Sequence, residues 1–196
     1  MPRSLWKIKS LFYHAMRLNP VSYLILKNEN EIIYSFLDLI PGLSSGIILD
    51  IGSGRGNSLK ILAGKSDFVV GTDFSHSMLK RTASQLHDFH YVVADARNLP
   101  FLQNTADIIT AIGITEYLED IGVFLSETVR IVKNRGYIII TTSPPGFLSR
   151  LRILLGHRLH PWKHEDIIDI YNRFPLKIIE SRKTILQHQF LLQKSE

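Results

Sequence analysis

The stretch ILDIGSGRGNS, residues 48–58, constrains this chain more than any other. An apolar run ends in an acid, glycines follow at positions 52, 54 and 56, and a helix-forming segment begins. A loop of this kind joins a buried strand to a helix in parallel βαβ architecture. Glycine is needed there because the turn is tight and a ligand must come close to the backbone. The helix opening near Asn57 would aim its unpaired N–H groups at that ligand. A dinucleotide loop reads G-x-G-x-x-G, whereas here the third glycine comes early and Asn57 stands in its place. That spacing argues against a nicotinamide or flavin site. Taken alone, the pattern also fits an ordinary glycine-rich turn.

The flanking sequence repeats the βα rhythm. Strand-like runs at 46–51, 68–72, 90–94, 106–112 and 137–142 alternate with helical segments at 57–64, 76–86 and 120–132. Their near-continuous apolar character predicts strands covered by helices on both faces, joined by right-handed crossovers. After Pro144-Pro145 the rhythm changes. A basic apolar stretch at 147–155 precedes a helix at 164–173, and the runs 176–182 and 188–193 read as a closing antiparallel hairpin. No repeat or linker divides the chain, and 196 residues fit one domain. The absence of cysteine removes disulfides, thiolate catalysis and cysteine zinc sites. The longest apolar runs, such as 137–140, fall far short of the roughly 20 residues a membrane span needs.

Two further acids add weight to the glycine loop. Asp73 follows the second strand in VVGTDFSHSML, and Asp95 follows the third in YVVADARNLPF. An acid at the second strand tip can accept two hydrogen bonds from ribose hydroxyls, and one at the third can meet an adenine edge. Singly, each is more often a helix cap or turn former. Three successive strands each ending in an Asp-bearing loop, all on one edge of the sheet, are much less easily explained by capping.

On these motifs the chain resembles the class I S-adenosylmethionine-dependent methyltransferase superfamily over roughly residues 46–142. DIGSGRG is similar to its nucleotide-binding loop, GTDFSHSML to its ribose-acid segment and VADARNLPF to its adenine-side motif. ADIITAIGITEYLED and LSETVRIVKNRGYIIITTS resemble the fourth and fifth strands, with Asn134-Arg135-Gly136 where Pro-Gly-Gly is usual. The resemblance implies an α/β fold, a doubly wound, Rossmann-like seven-stranded mostly parallel sheet of order 3-2-1-4-5-7-6 with a C-terminal antiparallel hairpin. It implies a single domain comprising an N-terminal helical cap (1–45), a cofactor-binding core (46–142), an acceptor-site cover (143–175) and the terminal hairpin (176–196). By the same resemblance S-adenosyl-L-methionine would be the cofactor. Asp50, Gly52, Ser53 and Gly54 would surround its methionine portion, and Asp73 its ribose, with Phe74 and Met78 nearby. Asp95 and Ala96 would meet the adenine, and Ile112 and Gly113 would line the methyl-donor face.

Methyl transfer from a sulfonium is an in-line displacement in which positive charge disappears, so alignment and dryness dominate catalysis. A general base helps only where the nucleophile must lose a proton. The candidates are Glu116 and Tyr117, just past the fourth strand, and His160. Glu116 also reads as an acid favoured at a helix start. The tip Gly113-Ile114-Thr115-Glu116 lacks the Asn- or Asp-Pro-Pro-aromatic motif of many amino-methylating nucleic-acid enzymes. His157, His160 and His164 have spacing unlike a metal helix, and no metal is expected. Trp162 reads either as a wall of the acceptor pocket or as an anchor for the next helix.

Charge is unevenly spread. Residues 1–28 carry five Lys or Arg and no acid, residues 29–127 carry 6 basic and 13 acidic side chains, and residues 128–164 carry 7 basic and none acidic. Such asymmetry points to an anionic partner, whether a lipid surface, an acidic substrate or nucleic acid, or else to solvated basic faces. Leu5, Ile8, Phe12 and Met16 stand near helical spacing in the basic N-terminal segment, which lacks a secretory h-region and reads as a lid or interfacial helix. Apolar and arginine residues mix over 147–158, a composition suited to an interfacial helix or equally to a packed core helix with charged edges. The expected acceptor is therefore a small amphiphilic or anionic molecule, and the expected location cytoplasmic, with a possible peripheral contact to anionic membrane. Nucleic acid is disfavoured because no stacking motif accompanies the charge. Two other readings share the cofactor logic: a nicotinamide-dependent oxidoreductase, and a non-catalytic S-adenosylmethionine-binding subunit or sensor.

Overall fold

Successive side chains of the central strands point to opposite faces of the sheet, and here both faces carry Ile, Leu and Val. The computed structural model describes residues 20–154, 156, 158–184 and 186–196. Five parallel strands, β1 (Ile47–Ile51), β2 (Phe68–Asp73), β3 (His90–Val93), β4 (Ala106–Ala111) and β5 (Val132–Thr142), lead into the antiparallel β6 (Leu176–Lys183) and β7 (His188–Lys194). The sheet runs β3-β2-β1-β4-β5-β7-β6, the order the resemblance implies. The helices are α1 (Pro20–Asp38), α2 (Asn57–Leu62), α3 (His76–Ala83), α4 (Ile121–Ile131), α5 (Phe147–Leu154) and α6 (His164–Tyr171). Among the described residues, no helix is long and apolar enough to cross a membrane.

Strand alternation sorts the core into two layers. Leu49, Ile51, Ile109, Ile138, Ile140, Phe190 and Leu192 meet Phe124 and Leu125 of α4 and Ile167 and Tyr171 of α6. On the other face Ile48, Ile108, Ile139 and Leu191 meet Ile33, Phe36 and Leu37 of α1 and Leu59 and Leu62 of α2. At roughly 1.5–3 kcal/mol per buried aliphatic or aromatic side chain, these layers dominate the fold's stability.

Element boundaries shift where the backbone finds partners that hydropathy does not mark. β5 starts at Val132 rather than Tyr137, because Val132 already pairs with Ala106 before the register slips. Between them Arg135 takes a left-handed φ of 62° where glycine is usual, and Gly136 packs so closely that a Cβ there would lie 2.8 Å from Lys133 O and 2.9 Å from Asp107 O. α2 and α3 end earlier than the predicted 64 and 86, at Leu62 and Ala83. The proposed N-terminal amphipathic residues Leu5, Ile8, Phe12 and Met16, together with Leu155 and His157, lie outside the described residues.

Candidate functional site

The parallel strands bring their carboxyl ends to one edge, and the loop after β1 forms the floor of that edge. Gly52 and Gly54 take φ of 77° and 49°, a region that L side chains avoid. The N–H groups of Gly52 and Ser53 both donate to Thr72 O at 2.8 Å, which pins the loop to β2. A Cβ on Gly52 would come within 2.7 Å of Ile114 Cδ1, so Ile114 lies directly over this glycine.

Asp50 is fully buried beneath the loop. Its carboxylate accepts from Ser58 Oγ at 2.6 Å and Thr110 Oγ1 at 2.7 Å, joining β1, α2 and β4. Burial pushes this carboxyl above its ordinary range, opposed by those two hydroxyls.

Asp73, also buried, ends β2. One carboxylate oxygen accepts from Gly54 N–H at 2.9 Å and the other from Ser75 N–H at 2.8 Å, leaving lone pairs on both for a ligand. Ser75 caps α3, which carries Met78 within 3.3 Å of a would-be Gly54 Cβ. Phe74 beside it is 81% exposed, an aromatic face presented at the rim. Asp95 is drawn into a fork with Arg97, whose Nη2 donates at 2.6 Å and Nε at 2.9 Å; this hydrogen bonding holds its carboxyl down at about 2. Ala96 is buried. The loop they belong to is clasped by α4: Leu99 N–H donates to Glu127, and Arg130 donates to Leu99 O and Phe101 O.

At the β4 tip, Ile112 is partly buried and packs against the α1 layer. Gly113 N–H donates to Thr141 Oγ1 at 2.9 Å. Gln187 Nε2, from the turn between β6 and β7, lies 4.0 Å from the position of a Gly113 Cβ. That turn is tied to α1, because Thr184 and Gln189 both hydrogen-bond the buried Glu29 carboxylate.

Glu116, the candidate base, lies just past β4 in the short turn Thr115–Tyr117. It is buried, and Arg152 of α5 grips it with Nη2 at 2.6 Å from Oε1 and Nη1 at 3.0 Å from Oε2, while Ser143 Oγ also donates to it. Arg152 Nη2 reaches the hydroxyl of the half-exposed Tyr117 at 2.7 Å as well. Both Glu116 oxygens are thus committed, and its observed role is to fasten α5 to the strand edge. His160 donates its backbone N–H to Glu116 O at 2.7 Å, and Trp162 donates its own to Ser143 O at 2.9 Å, so the segment before α6 follows the β5 tip.

A second group of polar atoms gathers on that side. Thr142 Oγ1, Trp162 Nε1, His164 Nδ1 and His188 Nδ1 are buried without hydrogen-bond partners. Thr142 and His188 are register partners, and the two imidazoles stand edge to face at 5.0 Å. Among the described residues no group of three His, Asp or Glu could hold a metal ion. Burial lowers both imidazole pKa values; each also feels Lys183, His188 feels His164, and Glu165 opposes. A depressed folded-state value means that the neutral pair stabilises the fold above the ordinary histidine pKa of about 6.5. That contribution is lost as the pH falls through the depressed values. Melting temperature should therefore drop on acidification below about pH 6.5, and a His164→Asn/His188→Asn protein should show a flatter profile. An unchanged slope in the double variant would assign the acid sensitivity to other groups.

Several of these contacts were not foreseen from sequence. Ile114, Gln187 and Arg152 come from segments whose pairing depends on tertiary contact, and only the basic character of 147–158 marked Arg152 in advance.

A methyltransferase domain family model matches residues 49–140. The chain is 29% identical over 129 residues to a malonyl-[acyl-carrier protein] O-methyltransferase of Marinomonas sp. (strain MWYL1), covering 63% of this chain and 47% of that protein. It is 36% identical over 117 residues to a demethylmenaquinone methyltransferase of Corynebacterium urealyticum, covering 58% and 49%. The chain spans about half or less of the length of the curated relatives it matches first. Among solved structures, magnesium protoporphyrin IX methyltransferase from Synechocystis PCC 6803 with bound S-adenosylhomocysteine superposes with a TM-score of 0.73 at 16% identity, over 90% of this chain and 88% of that one. That likeness establishes a shared fold.

Proposed function

Because this chain belongs to the class I S-adenosylmethionine-dependent methyltransferase superfamily, we propose that it moves a methyl group from S-adenosylmethionine to a small amphiphilic or anionic acceptor. The observation that carries this reading is the buried Asp73 carboxylate, steadied by two backbone N–H groups and set between the glycine loop and the exposed Phe74. The residues present suit an adenosyl sulfonium. Gly52, Ser53 and Gly54 would take its methionine end over Asp50, Asp73 would accept from the ribose with Met78 and Phe74 beside it, and Asp95 and Ala96 would take the adenine. Ile112 and Gly113 would border the methyl.

Bound there, the sulfonium supplies an electrophilic methyl group and calls for no catalytic acid. The chain's own contribution is to orient and to exclude water, through Ile114 over the loop, Gln187 at Gly113 and α5 fastened across the β4 and β5 tips. Where an acceptor must lose a proton, Glu116, Tyr117 and His160 are the candidate bases; Arg152 already engages the Glu116 carboxylate and the Tyr117 hydroxyl, so either would act with that arginine beside it. The unpartnered Trp162 Nε1 and Thr142 Oγ1 suit a polar acceptor group near Ser143. Relatives are named for malonyl-[acyl-carrier protein] and for demethylmenaquinone, and both acceptors belong in the panel that tests this chain.

Calorimetric titration tests the reading. S-adenosylhomocysteine should bind with measurable heat and NADH should not, and labelled methyl should pass to a member of a metabolite panel. Heat with NADH alone would restore the oxidoreductase reading. Binding of S-adenosylhomocysteine without turnover on any acceptor would leave a non-catalytic binding subunit.

A further inference from the structure

The described side chains of helix α5 divide between a polar side and an exposed apolar one. Ser149, 5% exposed, and Arg152, bound to Glu116, lie on one side of it and face the body. Roughly opposite on the helical wheel, Phe147 is 79% and Leu154 83% exposed, with Arg150 exposed between them and Ile153 at the flank. An ordinary amphipathic helix buries its apolar stripe and solvates its charges. Among the described side chains of α5, Ser149 and Arg152 are anchored while Phe147, Ile153 and Leu154 are presented.

Charge identifies what this face suits. Arg150, Arg158 and Lys163 are exposed on or just after the helix, and residues 128–164 contain no acid at all. A second copy meeting this face isologously would bring like charges together. The chain's residues 1–28 carry five basic side chains and no acid, so they supply no neutralising partner either. Exposed apolar side chains on a helix that also carries the exposed Arg150, within an acid-free basic segment, match the boundary between anionic headgroups and acyl chains.

We propose that α5, with the basic segment reaching Lys163, docks on an anionic lipid surface, seating Phe147, Ile153 and Leu154 at the acyl boundary. The Arg152–Glu116 pair then holds the docked helix beside the β4 tip. This goes beyond the methyl-transfer reading and is tested separately from it.

The experiment is co-sedimentation of the full chain with phosphatidylcholine vesicles, with and without roughly one-third phosphatidylglycerol. The wild type should pellet with the anionic vesicles at low salt, be released at high salt and ignore the neutral ones. Phe147→Ser/Leu154→Ser should lower partitioning roughly tenfold or more, since it removes two interfacial anchors. Arg150→Gln/Arg158→Gln should weaken it and flatten its salt dependence. Circular dichroism and S-adenosylhomocysteine titration of each variant separate a lost surface from a lost fold or cofactor site. No binding to anionic vesicles, equal binding to neutral ones, or undiminished binding by the Ser variant overturns the proposal. Binding of polyglutamate with none to vesicles also overturns it, by assigning the face to an acidic protein.

Discussion

Asp73→Ala is expected to weaken S-adenosylhomocysteine binding by roughly 100-fold or more, because each charge-assisted hydrogen bond to a ribose hydroxyl contributes about 1.5–3 kcal/mol. The loss has a second component. Asp73 also accepts from Gly54 and Ser75, so its removal frees the glycine loop and the cap of α3 together. Asp73→Asn keeps one acceptor oxygen and should lose roughly tenfold. Calorimetry measures both, and thermal melting without ligand shows whether the fold survives. Wild-type affinity in the Ala variant, with an intact fold, would falsify the placement of the ribose.

The second large effect belongs to Arg152. Replacing it with Ala strands the Glu116 carboxylate, whose side chain is only 6% exposed, beneath α5. Removing one partner of a buried ion pair costs about 3–5 kcal/mol, and the lower end applies here because Arg152 itself is 29% exposed. The cost should appear as local release, since Arg152 is the main side-chain link from α5 to Glu116 and Tyr117. Amide hydrogen exchange should quicken across Phe147–Leu154 while the strands keep their protection. Replacing both partners, Glu116→Gln with Arg152→Met, should recover most of that protection, because no unpaired charge remains. A uniform rise in exchange over the whole sheet would show that the pair supports the global fold instead.

Much of this was legible in the sequence, for physical reasons. The strand positions, the glycine loop and the acids at 50, 73 and 95 are local features, each an apolar run followed by residues that the turn chemistry demands, whereas the order of the strands in the sheet came only from the family resemblance. The early start of β5 was not legible, since Lys133, Asn134 and Arg135 are polar and their place in the ladder comes from Val132 pairing with Ala106. Glu116 was readable as an acid at a strand tip, but not as one that Arg152 neutralises from 36 residues away. Gln187 beside Gly113 was hidden for the same reason: nothing in a hairpin turn's composition says what it will lean on.

The buried Glu29, held by Thr184 and Gln189 across as many as 160 residues of chain, sets an order of assembly. The glycine loop and Asp50, Asp73 and Asp95 draw on contacts such as Thr110, 60 residues from Asp50, whereas the turn beside Gly113 is tied to Glu29 by contacts spanning 155 and 160 residues. Closing such long spans is the slow part of folding. The proposed cofactor edge would thus take shape before the wall at Gly113 and Gln187.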